Sequence, residues 1–201
     1  MTPLLFLERC VEPGLALLPG YMTRDEARVM LVAIAGQETN WAARKQLGQG
    51  TALSYLQFER IGVAEVMQKL PHLARQVLDT NDIPVASAFA ALQYHDPVAC
   101  AFGRLLLWSD PDPLPAIGEQ DAAWEYYLRL WKPGKRRPAD WPGNYQKAVG
   151  VVKPAPASPP APVAAAPSIW PAPQFVHSLA PPPPSLGLEG LGVPPAPSDV
   201  P

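Results

Sequence analysis

One carboxyl group in this chain is placed where it could act as an acid. Glu38 shares a three- and four-residue spacing with Ile34 and Trp41, so on a helix it lies on the same apolar stripe. A carboxyl group among apolar side chains loses hydration, which disfavours its charged form and raises its pKa. Such a group could donate a proton near neutral pH. The alternative is an exposed glutamate at the edge of the stripe, beside Gln37.

The helix that carries this acid has a recognisable start. Thr23 and Glu26 have the spacing of a capping box, and Asp25 adds negative charge to the first turn, where the helix dipole favours it. The sequence therefore predicts a helix from near Arg24 to about Leu47. We expect a glycine pair to end it, Gly48 and Gly50.

A loop of small residues then returns an aromatic and an amide side chain, Tyr55 and Gln57. Residues 37–41 (QETNW) and 50–58 (GTALSYLQF) resemble the lytic transglycosylase pattern of the lysozyme-like superfamily, a helix ending in Glu-Ser followed by a Gly-Ala-x-Gly-Leu-Met-Gln loop. The resemblance, to phage-encoded proteins in particular, extends from about residue 17 to residue 148. It implies that Glu38 is the catalytic acid and that Gln57 faces the sugar. Ser54 stands at a glycine of the pattern, and glycine reaches positive φ without strain.

The expected fold is an all-α, lysozyme-like helical domain of the lytic transglycosylase type over residues 1–150. The helix opened by Pro97 is apolar along most of its length, which is typical of a helix at the centre of a core. Hydrophobic spacing and proline positions predict the other helices at residues 1–20 (broken at Pro13 and Pro19), 63–70, 72–80, 85–94, 122–131 and 145–149.

Aromatic residues are the further candidates for substrate binding, because aromatic faces stack on sugar rings. By this argument Trp141 or Tyr145 is a candidate, and Trp41 and Tyr55 are candidates beside the acid and the amide. The resemblance adds Tyr94, which with His95 occupies the place of an Ala-Tyr-Asn motif.

The resemblance implies a mechanism with a single acid. If Glu59 or Asp96 faced Glu38 across the cleft, ordinary hydrolysis would be the better interpretation. Arg104 is interpreted either as an exposed flank of its helix or as a partner of Asp96.

A basic loop lies between Trp131 and Trp141, with Lys132, Lys135, Arg136 and Arg137. The formal net charge of -2 gives no case for broad nucleic-acid binding, so no nucleic-acid partner is predicted. Four cations in one turn are typical of a solvated loop. Binding of anionic wall polymer or of a phosphate backbone remains an alternative.

No metal site and no cofactor are predicted. The three histidines fall in no metal-ligand spacing, and no nucleotide-binding motif occurs. Cys10 and Cys100 lie among apolar residues, which favours buried free thiols over a disulfide.

The ends of the chain differ in composition from the middle. Residues 151–201 are rich in Pro and Ala and nearly free of charge, which predicts an extended, polyproline-like tail. Its apolar segments 169–176 and 186–191 either dock on the domain or on another subunit, or stay disordered. Glu8 and Arg9 interrupt the apolar N-terminus, so neither a signal peptide nor a membrane span is predicted.

The resemblance implies a muramidase, and a lytic transglycosylase in particular, that cuts the β-1,4 bond between N-acetylmuramic acid and N-acetylglucosamine. Its partners would be peptidoglycan glycan strands and, through the tail, other virion proteins. The expected location is the phage virion, or the cytoplasm of an infected bacterium before assembly or lysis. The alternatives are a non-enzymatic virion structural protein with a degenerate lysozyme-like fold, and a wall-binding adaptor.

Overall fold

A computed structural model of the chain describes residues 1–45 and 50–153. Helices make up most of this part, and β pairing within it is limited to isolated bridges between Lys45 and Leu53 and between Leu53 and Phe58. The all-α prediction is therefore confirmed. The predicted tail falls outside the described residues from residue 154 onwards, as does Gly48.

The helices follow one another through short connections. Their bounds are α1 (Pro3–Phe6), a π-helical turn (Leu7–Val11), α2 (Glu12–Leu15), a 3₁₀ turn (Gly20–Met22), α3 (Asp25–Thr39), α4 (Arg60–Lys69), α5 (Pro71–Thr80), a 3₁₀ turn (Val85–Ser87), α6 (Ala88–Ala91), α7 (Asp96–Trp108), α8 (Gln120–Trp131) and α9 (Trp141–Val152). No helix within residues 1–45 and 50–153 is both long and apolar enough to cross a membrane.

Two helices form the centre of the core. α3 is buried on all sides from Val29 to Gln37 and packs along α9, and α7 is buried from Val98 to Leu107. The prediction for α7 is confirmed. For α3 the predicted single apolar stripe understated its burial, because neighbouring helices cover its other faces as well.

Both ends of α3 differ from the prediction. The capping box does not form, because the Thr23 hydroxyl donates to the carbonyl of Gly20 (2.9 Å) and Arg24 is the N-cap residue. The helix ends at Thr39, well before Leu47. Asn40 and Trp41 adopt positive φ values of 50° and 55°, and the Asn40 N–H bonds the Gly36 carbonyl (2.9 Å). A left-handed residue closes a helix by satisfying its last carbonyls, and asparagine tolerates that conformation better than most residues.

The N-terminal helical segment continues through Pro13, contrary to the predicted break. The π-helical turn precedes it, and Pro13 lies in the first turn of α2, where its missing N–H costs little. A Cβ on Gly14 would lie 2.5 Å from the Pro97 carbonyl oxygen, so glycine permits close contact with α7. Cys10 and Cys100 are buried and free, as predicted.

Three other predictions need correction. The helix predicted at 85–94 is reduced to a 3₁₀ turn and the four residues of α6, and the one predicted at 145–149 runs instead from Trp141 to Val152. Neither alternative for Arg104 holds. Arg104 is buried, its Nε donates to the Met22 carbonyl (2.7 Å), and Asp96 pairs with Arg44 (2.7 Å).

Candidate active site

Glu38 lies in the last turn of α3, half-buried at the wall of a groove. The Tyr127 hydroxyl, on α8, donates a hydrogen bond to Glu38 Oε1 (2.7 Å). The Tyr127 ring is buried and stacks on Trp141, with 5.3 Å between ring centroids and 14° between planes. A buried ring in such packing cannot rotate freely, so the phenol holds the carboxyl group in a fixed direction.

The environment of this carboxyl group favours its protonated form. Burial raises the pKa of Glu38, and the negative charge of Glu59 adds to the rise. The hydrogen bond from Tyr127 and the positive charge of Arg137 oppose it without cancelling it, so the net pKa shift is upward. Burial and the neighbouring Glu38 also raise the pKa of Tyr127, which keeps the phenol a donor. Glu38 is thus half-buried with a raised pKa, and its role as the catalytic acid stays a prediction.

A tight hairpin lies between α3 and α4. Leu53 and Phe58 exchange two backbone hydrogen bonds (2.9 and 2.7 Å). Ser54 and Gln57 adopt positive φ values of 67° and 48°, and the Ser54 hydroxyl accepts from the N–H of Leu56 (3.2 Å). Serine at the glycine position therefore leaves the loop tight, because its side-chain hydrogen bond offsets part of the cost of the left-handed backbone.

Two hydrogen bonds fix this hairpin beside Glu38. The Thr39 hydroxyl donates to the Tyr55 carbonyl (3.1 Å), and the Trp131 indole N–H donates to the Leu56 carbonyl (2.8 Å). The hairpin is thus joined both to the end of α3 and to the end of α8. As a result, Gln57 and Glu38 line the same groove.

The groove has a volume of about 940 Å³. Its walls come from the end of α3, the hairpin, the start of α4, and the end of α8 with the loop after it. Trp131 and Phe58 supply apolar surface, and their rings lie 5.6 Å apart. The groove thus places a half-buried acid and aromatic side chains beside Gln57, whose Nε2 donates to the Ser54 carbonyl (2.8 Å).

None of the predicted aromatic contacts lines the groove, and Trp141 is buried. Tyr55 is buried edge-on against Phe6 (5.5 Å). Trp41 is buried, and its indole N–H donates to the Val32 carbonyl (3.1 Å). Tyr145 is buried, and its hydroxyl accepts from the N–H of Gly118 (3.1 Å). Tyr94 is 78% exposed and outside the groove lining. The sequence pattern of these residues is that of an amphipathic helix, and this pattern does not distinguish an aromatic side chain of the core from one that binds a ligand.

Of the two candidates for a second acid, Glu59 lines the groove and Asp96 does not. Asp96 is held by Arg44 and does not line the groove. Glu59 lines the groove, and its charge acts on Glu38. Of these two candidates, only Glu59 thus lines the same groove as the half-buried Glu38.

Sequence reasoning missed Tyr127 and a polar network behind Glu38. Gln37 is buried, its Nε2 donates to the Arg137 carbonyl (2.9 Å), and its Oε1 accepts from Asn144 Nδ2 (3.1 Å). This network joins the loop after α8 to the residue that precedes the acid. A polar residue inside an apolar helix was the available signal for Gln37. A tyrosine on the buried stripe of α8, whose hydroxyl needs a partner, was the signal for Tyr127.

Across residues 1–45 and 50–153, no group of three or more His, Cys, Asp or Glu side chains is arranged to hold a metal ion. Comparison with protein-family models, with curated proteins and with solved structures finds no match to this chain. Its function therefore has to be argued from the groove.

Proposed function

We propose that this groove is the active site of a peptidoglycan-cleaving glycosidase, a muramidase of the lytic transglycosylase type on a lysozyme-like fold. The observation that carries the proposal is the half-buried Glu38, whose pKa is raised and whose carboxyl group lines the groove with Gln57. Support also comes from the motif resemblance of residues 37–41 and 50–58, since the resemblance assigns the acid and the amide to these two residues.

In the proposed mechanism, protonated Glu38 donates its proton to the oxygen that leaves the glycosidic carbon. The bond between that carbon and oxygen breaks, and positive charge develops on the sugar ring. The substrate's own 2-acetamido group or 6-hydroxyl then takes the place of an enzyme nucleophile, and the Glu38 carboxylate accepts a proton. Tyr127 assists by donating to the carboxylate, which stabilises it once the proton has left.

Because Glu59 also lines the groove, hydrolysis of the same glycosidic bond by water is the alternative reaction. A second carboxylate in the groove could activate a water molecule or stabilise the charged sugar, as in glycosidases that use two acids. Mass spectrometry of the products separates the two: 1,6-anhydro ends indicate transglycosylation and reducing ends indicate hydrolysis. Glu59→Gln should leave an anhydro-forming activity largely intact and should abolish a hydrolytic one.

The test of the function is clearing of purified cell wall by the full chain and by Glu38→Gln. We expect Glu38→Gln to lose a factor of about 10²–10⁴ in rate, the usual contribution of a general acid. Glu125→Gln is the matched control, since it removes an exposed carboxyl group from α8 outside the groove. Equal inactivity of the wild-type chain and Glu38→Gln, with both folded, would refute the proposal.

That outcome would favour the alternative of a non-enzymatic virion protein. One observation supports it: Tyr94 and His95, at the place of the Ala-Tyr-Asn motif, do not line the groove. Binding to wall without clearing would instead favour the adaptor. In each case we propose peptidoglycan strands or virion proteins as partners, with the phage particle, or the infected cytoplasm before lysis, as the location.

A further inference from the structure

Cations of the loop after α8 line the groove beside the proposed acid. Lys132, Lys135 and Arg137 are exposed and belong to the groove lining. Arg137 has an ion pair with Asp140 (3.6 Å). No carboxylate of residues 1–45 and 50–153 pairs with Lys132 or Lys135. Two lysines are therefore free to meet a charged group that enters the groove.

The backbone of this loop is held at both ends. The Lys132 N–H bonds the Leu128 carbonyl (3.1 Å), and Lys132 adopts a left-handed φ of 46°. At the other end, the Arg137 carbonyl accepts from the buried Gln37 amide (2.9 Å). The backbone of Lys132 is thus fixed by α8, and Lys135 lies between two held ends of the loop.

The charge of the groove differs in sign from that of the whole chain. The described lining residues include four cations, with Lys45 as the fourth, and three glutamates. Of these glutamates, Glu38 has a raised pKa and Glu65 is paired with Lys69 (2.7 Å). Arg137 is likewise paired with Asp140, which leaves three lysines against Glu38 and Glu59, so the groove is positive in balance although the chain carries a net charge of -2. A concave site of one sign attracts ligands of the other sign.

Local structure explains only part of this arrangement. Lys132 follows the C-terminus of α8, where the helix dipole favours a cation. Lys135 lies beyond the reach of that effect, which falls off within the last turn. The helix dipole therefore does not explain the position of Lys135, whereas a negatively charged ligand in the groove would account for the positions of both lysines.

We propose that Lys132 and Lys135 bind carboxylates of the peptide stems carried by the muramoyl residues, so that the groove selects anionic, stem-bearing glycan strands. This inference rests on the proposed function. N-acetylglucosamine rings are neutral and gain nothing from a basic rim, whereas the stems have free carboxylates. A lysine ammonium group donates three hydrogen bonds from a flexible chain, which suits a carboxylate on a mobile stem better than a rigid fork does.

The test compares two double variants with the same loss of charge. Lys132→Gln/Lys135→Gln removes the groove lysines. Arg75→Gln/Arg136→Gln removes two exposed cations that do not line the groove. Both are made in the Glu38→Gln background, so that binding is measured without cleavage. Unfolding midpoints confirm that all variants are folded.

The probes are fluorescent, stem-bearing glycan strands free of phosphate polymers, and the same strands with their carboxylates converted to methylamides. At low ionic strength we expect the groove variant to bind native strands about five- to tenfold more weakly than its parent, and the control variant to change by less than about twofold. Methylamide strands should bind weakly and equally to all variants. The difference should shrink as added salt screens the charges.

An equal loss in both double variants would overturn the inference, as would equal binding of native and methylamide strands. Stronger competition by duplex DNA or by a phosphate wall polymer than by native strands would also overturn it, since the lysines would then serve phosphate. The proposed function is tested separately by wall clearing. Binding that depends on the stem carboxylates, without clearing of the wall, would refute the glycosidase proposal and support this inference. Clearing of the wall, with unchanged binding in the groove variant, would support the glycosidase proposal and refute this inference.

Discussion

Two side chains of α8, on different faces of the helix, each donate a hydrogen bond to a carboxyl group elsewhere in the chain. The pKa values of these two carboxyl groups are shifted in opposite directions. On the groove face, the neutral Tyr127 hydroxyl donates to Glu38. On the other, the Arg129 guanidinium binds Asp110 through Nε (2.7 Å) and Nη2 (3.0 Å). The pKa of Glu38 is raised, chiefly by burial, whereas Arg129 lowers the pKa of Asp110. Both donors stabilise the charged carboxylate, and the two pKa values shift in opposite directions because burial outweighs the hydrogen bond at Glu38 and does not outweigh the ion pair at Asp110.

The difference lies in the charge of the donor and in the loss of water. A cation beside a carboxylate stabilises the negative charge, so the pKa of the group falls below its ordinary value. A neutral phenol fixes the direction of the carboxyl group and stabilises its charge less than burial disfavours it. Glu38 is thereby oriented while its pKa stays raised, and the proposed general acid requires both.

The largest effect on this contrast should come from Tyr127→Phe. Loss of the hydrogen bond removes the stabilisation of the Glu38 carboxylate, so the pKa of Glu38 should rise further. The maximal rate of wall cleavage should fall by about tenfold or more, because hydrogen bonds to charged groups contribute about 1.5–3 kcal/mol. The alkaline limb of the pH–rate profile, measured by turbidity, should move to higher pH.

Tyr126→Phe is the matched control for this variant. Tyr126 is also buried on α8, and its hydroxyl donates to the carbonyls of Leu107 (2.8 Å) and Asp112 (3.1 Å). It should lose stability by about 1 kcal/mol and leave the pH–rate profile in place. A shift of the profile in both variants would show that general loosening of α8, and not the bond to Glu38, controls the acid.

The sequence predicts the neighbours of Glu38 that are close in the chain and does not predict its distant hydrogen-bond partner, Tyr127. Glu38 and Gln57 lie close together in the chain, and the loop chemistry between them limits where the amide can go. Tyr127 is 89 positions from Glu38. Its place on a buried stripe is predictable from helical spacing, but the destination of its hydroxyl depends on how α8 crosses α3. Helical period specifies a face and leaves the partner of that face open.

The same limit explains the aromatic candidates. The sequence makes Trp41 and Tyr145 candidates for contact with sugars, yet each ring is buried and its polar atom is bonded to a backbone group. Composition cannot distinguish these cases, because an aromatic ring with a satisfied polar atom serves a core as well as a binding site.

A second effect should appear in the pH dependence of stability, with opposite sign for the two acids. The folded-state pKa of Glu38 lies above its unfolded value, so its contribution to stability is present below the unfolded pKa and is lost as pH rises through the folded pKa. Glu38→Gln cannot ionise, and it should gain stability relative to wild type as pH rises. The folded-state pKa of Asp110 lies below its unfolded value. Asp110→Asn should therefore lose stability relative to wild type above the unfolded pKa, and the difference should vanish as pH falls through the folded pKa.

Urea unfolding from about pH 3 to about pH 8 measures both slopes. We expect a difference of about 1 kcal/mol or less for Asp110→Asn, because Arg129 is exposed and solvent screens its charge. Parallel curves for the two variants would mean that the charge state of Glu38 is not controlled by burial.

The smallest effect should come from Arg129→Gln. Without the guanidinium, the pKa of Asp110 should return towards its ordinary value, as a carboxyl carbon NMR titration would record. The free energy of unfolding at neutral pH should fall by about 0.5–1 kcal/mol, since exposed ion pairs contribute little. Wall cleavage and its pH profile should stay unchanged, because Arg129 neither lines the groove nor is among the causes of the raised pKa of Glu38. A shift of that profile in Arg129→Gln would mean that the two faces of α8 are coupled through the helix. The pKa of Glu38 would then depend on the whole helix and not on the burial of Glu38 alone.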